Sequence, residues 1–399
     1  LNRPITSTPI PQTHGASDPE HRILTLDILR GIALFGVLMV NLLTEFRASI
    51  FQQFLPSAAS GASKEQLLAG FVSYALDMKA FSLFSLLFGI GLAIQFDRLA
   101  KRGPPLYRLR RRLIVLLGFG LCHQVLIWNG DILTEYALAG LIVLRALRHE
   151  EDMLALYALA VFAFYLVMPI WFGPLYWPQS SAFAERVAEA NHVYPYGNYF
   201  QIVRFSIHEL RLMIPLHVAV FPRTIALMLA GAWIWRSELL RDLRAHRSGM
   251  LVFGLLAVAT GVSITAAETV NLFASNRAFG DVLIRLGQPI QALGYAALIA
   301  VAVDSSYVAQ LMKVFAPMGR MAFSNYIVQS LIFSWIFFGY GLGQFNCMSM
   351  RSAFLLGSAV YVAQIIASIL WLRWFRFGPL EWLWRSLTYG RSQLMWNRR

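Results

Sequence analysis

The chain has 399 residues, 57% of them hydrophobic and 14% charged, with a formal net charge of +13. At a mean hydropathy of +0.56 it cannot cover itself with polar surface, which excludes a soluble domain and marks a polytopic membrane protein. Its positive charge is collected in discrete loops, so nucleic-acid binding is not needed to explain it.

Residues 1–22 are polar, rich in Pro, Thr and Ser, and lack the apolar core of a signal peptide. They are expected to form a disordered cytoplasmic tail. A membrane span takes about 20 apolar residues, and about ten stretches qualify. In chain order they are 24–45, 78–97, 110–128, 131–148, 152–172, 216–236, 249–268, 283–303, 319–342 and 352–373. The expected fold is an all-α transmembrane helix bundle over 23–375. An amphipathic tail over 376–399, carrying Glu381, Trp382, Trp384 and Arg385, is expected to lie in the cytoplasmic interface. The links Trp128–Asp131 and His149–Glu151 are short enough to make spans three to five a series of antiparallel hairpins.

Arg and Lys collect after span two (Arg98, Lys101, Arg102, Arg108, Arg110, Arg111, Arg112), after span six (Arg236, Arg241, Arg244, Arg247) and after span ten (Arg373, Arg376, Arg385, Arg391). The bias of positive charge toward the cytoplasm then places both termini inside the cell, in a bacterial inner membrane. Two outer segments are long, Arg47–Leu68 and Phe172–Pro215. The second carries Trp177, His192, Tyr194, Tyr196, Tyr199 and His208. Its aromatic density suits a segment at the headgroup level, with a lid over substrate as the other reading.

Ionisable groups in hydrocarbon cost several kcal/mol unless paired, so those inside spans mark candidate sites. The richest stretch is His123 to Glu135, where one span ends and the next begins. Of the eight histidines, only His123 falls within a membrane helix at the outer-leaflet level. His14, His21, His149 and His246 read as cytoplasmic; His192, His208 and His217 belong to the outer segment or its edge. Asp131 can approach His123 across the short turn and orient it as a general base. Asn129 and Asn41 are candidate donors to a developing oxyanion. The structural alternatives stay open: His123 as an interhelical hydrogen-bond partner, and Asp131 as a helix cap.

Other polar positions have similarly divided readings. Asp27 and Arg30 either pair with each other or contact a ligand. The Arg108–Arg112 run is either a topology signal or a phosphate site. Arg285 either pairs with Asp281 one turn earlier or binds an anionic acceptor. Asn325 and Gln329 share a face of span nine. The glycines of Leu87–Gly91 lie inside a membrane helix and suit close helix packing. Cys122 and Cys347 suggest no bridge, and the chain shows no phosphate-binding loop, no dinucleotide glycine pattern and no paired Cys/His ligands, so no metal is expected.

The run Leu26 to Asn41 resembles the opening of the bacterial YeiB family of uncharacterised membrane proteins. The likeness continues through Phe84–Gly91, His123 with Asp131–Leu133, Gly319–Tyr326 with Gln329 and Ser330, and Phe377–Tyr389. Ser324 stands where that family commonly has Thr, which retains the hydroxyl. The segment 172–215 matches no pattern. The YeiB family in turn resembles transmembrane acyltransferases such as heparan-α-glucosaminide N-acetyltransferase, which use cytoplasmic acyl-CoA to modify an acceptor across the membrane. The shared element is Asp27-x-x-Arg30-Gly31 with a polar residue further along the span. In the sugar O-acyltransferase branch that residue is a catalytic His. Here it is Asn41, as in the glucosaminide branch, so the base must come from elsewhere. The glucosaminide branch also has a His between that Asn and span two, and this chain has none there.

The resemblance and the buried polar groups together lead to one expectation. The chain is a transmembrane acyltransferase moving an acyl group, most simply acetyl, from acyl-CoA to a hydroxyl or amine on the outer side. His123, Asp131, Asn41 and Asn129 would carry the chemistry, and Arg30, Arg111, Arg112, Arg320 and Asn325 would hold the donor. The acceptor is a glycan, a lipid-linked molecule or a small molecule. Whether the chain forms a homo-oligomer is left open. The other class that fits is a secondary transporter of a small metabolite or acylated product, using the same buried groups as substrate or proton sites.

Overall fold

The computed structural model describes residues 24–55, 64–101, 103, 106–176, 178–237, 246–303 and 306–397. The tail over 1–22, and the named residues Arg102, Trp177, Arg241 and Arg244, lie outside the described residues. Apart from isolated bridges at Lys101–Gly103 and Phe375–Trp396, the regular structure among the described residues is helical.

In chain order, α1 (Leu24–Asn41) runs into a π-turn, Leu42–Phe46, and a 3-10 turn, Ile50–Phe54. A second π-turn, Val72–Leu76, joins α2 (Lys64–Phe71) to α3 (Lys79–Ala100). Then come α4 (Leu106–Leu126), α5 (Leu133–Ala146), α6 (Glu151–Tyr176), α7 (Ser180–Tyr196), α8 (Tyr199–Arg236), α9 (Arg247–Thr269) and α10 (Arg277–Val303). The short α11 (Ser306–Met312) and α12 (Ala316–Arg320) lead to α13 (Ala322–Phe337), α14 (Met350–Trp374) and α15 (Pro379–Tyr389). Helices occupy each of the stretches read as spans. Among the described residues, 7 helices are long and apolar enough to cross a membrane.

The bundle is built around α1. The most apolar part of its span, Leu24–Phe46, is 83% buried, against 22% for α6, 22% for α9 and 28% for α14. Those outer helices turn Leu159, Leu256 and Leu355 outward, where lipid tails solvate them. Apolar contact therefore does little to hold such helices together; close van der Waals packing and polar contacts must do it. The Asp27-x-x-Arg30-Gly31 entry shows how. A Cβ on Gly319 of α12 would lie 1.9 Å from the Asp27 carbonyl oxygen, and one on Gly31 would lie 2.2 Å from the Phe315 oxygen. Only glycine lets these two backbones meet. The expected packing role of Leu87–Gly91 holds in the same way at Gly89, which lies against the Met228 backbone of α8.

Two features of the packing shape the site. The segment 172–215 is largely helical. Its central part is α7, whose Phe183, Val187, Ala190 and Tyr194 are buried at helical spacing, with Phe183 stacked on Phe51 and Phe54. Its last third is the start of α8, opened by an Asn198–Gln201 capping box. Second, the Trp128–Asp131 turn is covered by protein. Trp128, Asn129 and Asp131 are all buried, because α7 and α8 roof the turn: the Tyr199 hydroxyl donates to the Leu126 carbonyl at 2.8 Å. Irregular backbone at membrane depth is tolerated where protein covers it.

Candidate functional site

His123 lies in the last turn of α4, and Asp131 stands just before α5. Their side chains meet: His123 Nδ1 lies 2.8 Å from Asp131 Oδ1, with side-chain exposures of 1% and 0%. The other carboxylate oxygen, Oδ2, accepts the Thr134 N–H at 2.7 Å. Asp131 is thus both helix cap and partner to the imidazole, and the two readings of it coexist. A carboxylate beside Nδ1 fixes the tautomer with the proton there, leaving a lone pair on Nε2. Among the described residues that buried Nε2 has no hydrogen-bond partner. Tyr326 of α13 flanks the ring at 5.3 Å and Trp128 at 6.1 Å, and the Tyr326 hydroxyl accepts the Ile132 N–H at 3.3 Å. The arrangement is a buried, oriented imidazole with one ring nitrogen unpartnered among the described residues.

Around it stand residues that sequence reading did not single out. The π-turn after α1 carries Glu45, whose carboxylate lies over Gly130, where a Cβ would come within 2.1 Å of it. Phe46, next in the chain, stacks on Trp128 at 4.4 Å. Asn129, expected to serve an oxyanion, instead donates its amide to Glu209 of α8 at 2.8 Å. Tyr194 of α7 donates to the same Glu209 oxygen at 2.5 Å, and burial together with Glu209 raises the Tyr194 phenol well above its ordinary value. Asn41 ends α1 buried, its Oδ1 without a partner among the described residues. The signal for Glu45 and Glu209 was present in the sequence as carboxylates beside apolar spans. Nothing local tied them to His123.

The opposite end of α4 gathers charge: Arg30, Arg385 and Glu381 all lie within electrostatic reach of Arg112. Arg30 pairs with Asp27 at 3.1 Å. Arg112 lies flat on the Trp384 ring, 3.6 Å from its centroid, while the Trp384 indole N–H donates to the Arg112 carbonyl at 2.9 Å. The Arg111 guanidinium sits beside Gly390, the left-handed cap of α15. Arg320 ends α12, against the start of α1. Asn325 does not join them: its amide donates to Ser368 of α14 at 2.9 Å, and Gln329 bonds Gln364 alongside. The shared face of span nine is thus a seam between helices.

Glu381 closes the start of α13. It accepts the N–H groups of Phe323 and Ser324 at 2.8 and 3.1 Å, and the Ser324 hydroxyl at 2.5 Å. Ser324 in turn accepts the Leu380 N–H at 3.0 Å. The hydroxyl retained at position 324 is therefore a structural link between α13 and α15. Burial raises the Glu381 carboxyl above its ordinary range, and the Ser324 and Phe323 hydrogen bonds pull it partly back. The expected Arg285–Asp281 pair gives way to a different contact, with the Arg285 guanidinium over the Tyr165 ring at 5.0 Å.

Residues 234–391 match a family described as a protein of unknown function, DUF418. The chain is 32% identical to the uncharacterized protein YxaH of Bacillus subtilis, covering 92% of this chain and 94% of that one. It is 31% identical to the uncharacterized protein YeiB of Escherichia coli, covering 92% and 96%. An uncharacterized protein of Bacillus acidopullulyticus is 27% identical over 94% and 95%. With such identity over nearly its whole length and a bundle of long apolar helices, this chain belongs to the DUF418, YeiB-like family of bacterial multi-pass membrane proteins.

Proposed function

We propose that this protein is a transmembrane acyltransferase that moves an acyl group from cytoplasmic acyl-CoA to a hydroxyl or amine of an outer-side acceptor. The observation that carries the reading is the buried His123–Asp131 pair with an unpartnered Nε2. Desolvation and a fixed tautomer are what a general base needs to take a proton as a thioester is attacked. The acceptor O–H or N–H loses its proton to Nε2 while its heteroatom bonds the thioester carbonyl carbon. The carbon–sulfur bond then breaks, and the proton leaves with the CoA thiolate. Asn41 is the remaining candidate amide for the oxyanion, through its Nδ2 donor, since Asn129 is committed to Glu209.

The arginines suit the donor. Arg30, Arg111, Arg112 and Arg320 come from three helices at the cytoplasmic end, and guanidinium groups suit the phosphates of CoA. Arg112 and His123 share α4, about 16 Å apart at ~1.5 Å per residue. An extended pantetheine arm, comparable to four peptide residues or roughly 14 Å, covers most of that distance. The likeness of Asp27–Asn41 to the acyltransferase entry points the same way.

The test is acetyl-CoA consumption by purified protein with His123→Ala beside wild type. The base reading expects well-folded His123→Ala protein to keep acetyl-CoA binding and lose turnover. A folded variant with full turnover sinks it. Orientation is checked by cysteine labelling: a cysteine at Tyr196, which is 77% exposed, should react with an impermeant reagent from outside, and one at Arg110 should not.

A secondary transporter is the second reading, favoured by a separate set of membrane-embedded charges. Lys79 and Arg223 both lie within electrostatic reach of Asp77, where α3 meets α8. Thermal stabilisation by a metabolite, with none by any acyl-CoA, would support the transporter instead.

A further inference from the structure

We infer that Arg223 is the anion-recognising residue of a second ligand site, lying between α3, α5 and α8 and taking a carboxylate or phosphate group. The inference goes beyond the acyltransfer reading and does not depend on it. Arg223 follows Pro222 in α8, about 20 Å along the helix from Arg236 at ~1.5 Å per residue, well inside the hydrocarbon depth. It is 3% exposed. Among the described residues its Nε and Nη1 groups have no hydrogen-bond partner. A buried guanidinium N–H is always a donor, and leaving it unmade costs the full desolvation of a charged group. Two such groups on one side chain call for an acceptor that the chain does not supply.

The surroundings are built rather than accidental. Asp77 stands within electrostatic reach as a counter-charge, but no hydrogen bond joins it to Arg223. The same holds for Tyr136, whose hydroxyl is committed to the Phe81 carbonyl and to Ser85 at 3.0 Å each. Met78, between Asp77 and Lys79, takes a left-handed φ of 56°, a conformation that costs energy in a non-glycine residue and clusters at working sites. Lys79, also buried, gives its Nζ to the Ser73 carbonyl at 2.5 Å.

Six residues before Arg223, nearly two turns or about 9 Å along α8 at ~1.5 Å per residue, stands a second oriented imidazole. His217 Nδ1 lies 3.3 Å from Glu135 Oε2, and Thr224 donates to Oε1 of the same carboxylate. The His217 Nε2 is buried and lacks a partner among the described residues, while the side chain as a whole is 30% exposed. His217 therefore marks the open side of the region. It lies closer to the Tyr199 end of α8 than Arg223 does, so a ligand would enter from the side that α7 and the start of α8 cover. A fixed cation, two unmade donors and a reachable imidazole suit an anion better than a neutral or cationic group. The anion is either a soluble metabolite or a lipid headgroup, and the two sources are separable.

The test is binding to the purified full chain without any acyl-CoA. Thermal unfolding would be followed in neutral detergent with inorganic phosphate or succinate, against chloride at equal ionic strength. A parallel arm would use nanodiscs of phosphatidylcholine with and without phosphatidylglycerol. A saturable upward shift with phosphate or succinate supports a soluble anion; a shift with phosphatidylglycerol alone supports a headgroup. In either case Arg223→Gln should weaken binding at least about tenfold, the effect of losing a charge-assisted donor pair, and Arg223→Lys should recover part of it. No saturable shift of wild type with any of the three anions overturns the site. So does a folded Arg223→Gln that binds as wild type does. If Arg223→Gln fails to fold, the wild-type arms and Arg223→Lys still decide.

Discussion

The two ends of α4 make opposite use of polar groups. At its start, Arg112 is sandwiched against Trp384, and nearby Glu381 receives three donors while Ser324 both donates and accepts. At its end, His123 is held by Asp131 on one side and left open on the other. A polar network that satisfies all its members fixes a unique packing, because each lost contact strands a buried partner. A network with one unmade bond bears a desolvation cost with no structural return, and that is what a binding or catalytic position looks like. Burial alone does not tell the ends apart. Satisfaction does.

The comparison breaks most visibly by mutation at each end. On the acyltransferase reading, His123→Ala should lower acyl transfer by roughly 10²–10⁴-fold, the usual loss for a positioned base, with a loss of stability confined to the one Asp131 oxygen it strands. Turnover per folded molecule checks it. Glu381→Ala should do the reverse. It strands two backbone N–H groups and a hydroxyl, at about 1–3 kcal/mol for each buried group left unmade, so stability in denaturant titration should fall steeply. If the two variants show the same balance of stability and activity loss, the contrast between the ends is wrong.

A finer test is the hydroxyl at position 324. Ser324→Thr should be close to neutral, and Ser324→Ala should cost about 1–2 kcal/mol by leaving the Leu380 N–H without its acceptor. Equal stability of the two would remove the link between α13 and α15 from the argument.

The smallest effect is in pH. The Glu381 carboxyl is raised above its ordinary 4.5, first by burial, so the folded chain holds that proton to higher pH than the unfolded chain does. The stability it contributes is therefore present below 4.5 and declines as pH rises through the raised value. Glu381→Gln should flatten that slope in unfolding measured across the window. An unchanged slope would mean that another group sets it.

The family-like blocks and the fold explain each other. Gly319 and Gly31 lie far apart in the chain, yet each is where one backbone touches the other. The Phe377–Tyr389 block supplies both the carboxylate that closes α13 and the ring that holds Arg112. These are packing roles. They account for much of what is distinctive in the sequence without any reference to chemistry.

By itself the sequence determined the class, the run of helices and the His123–Asp131 pairing. Hydropathy sets which segments leave water, and a short turn between two helices brings the residues flanking it together whatever else the chain does. Only the tertiary structure decided that this turn is roofed, that Asn129 serves Glu209 and that Asn325 serves Ser368. It also revealed that Glu45 lies over Gly130 and that Arg223 lacks partners for two of its N–H groups. Each of these depends on which face of one helix meets another remote in the chain. Within lipid, apolar periodicity says little about that, because a lipid-facing and a protein-facing Leu are equally apolar.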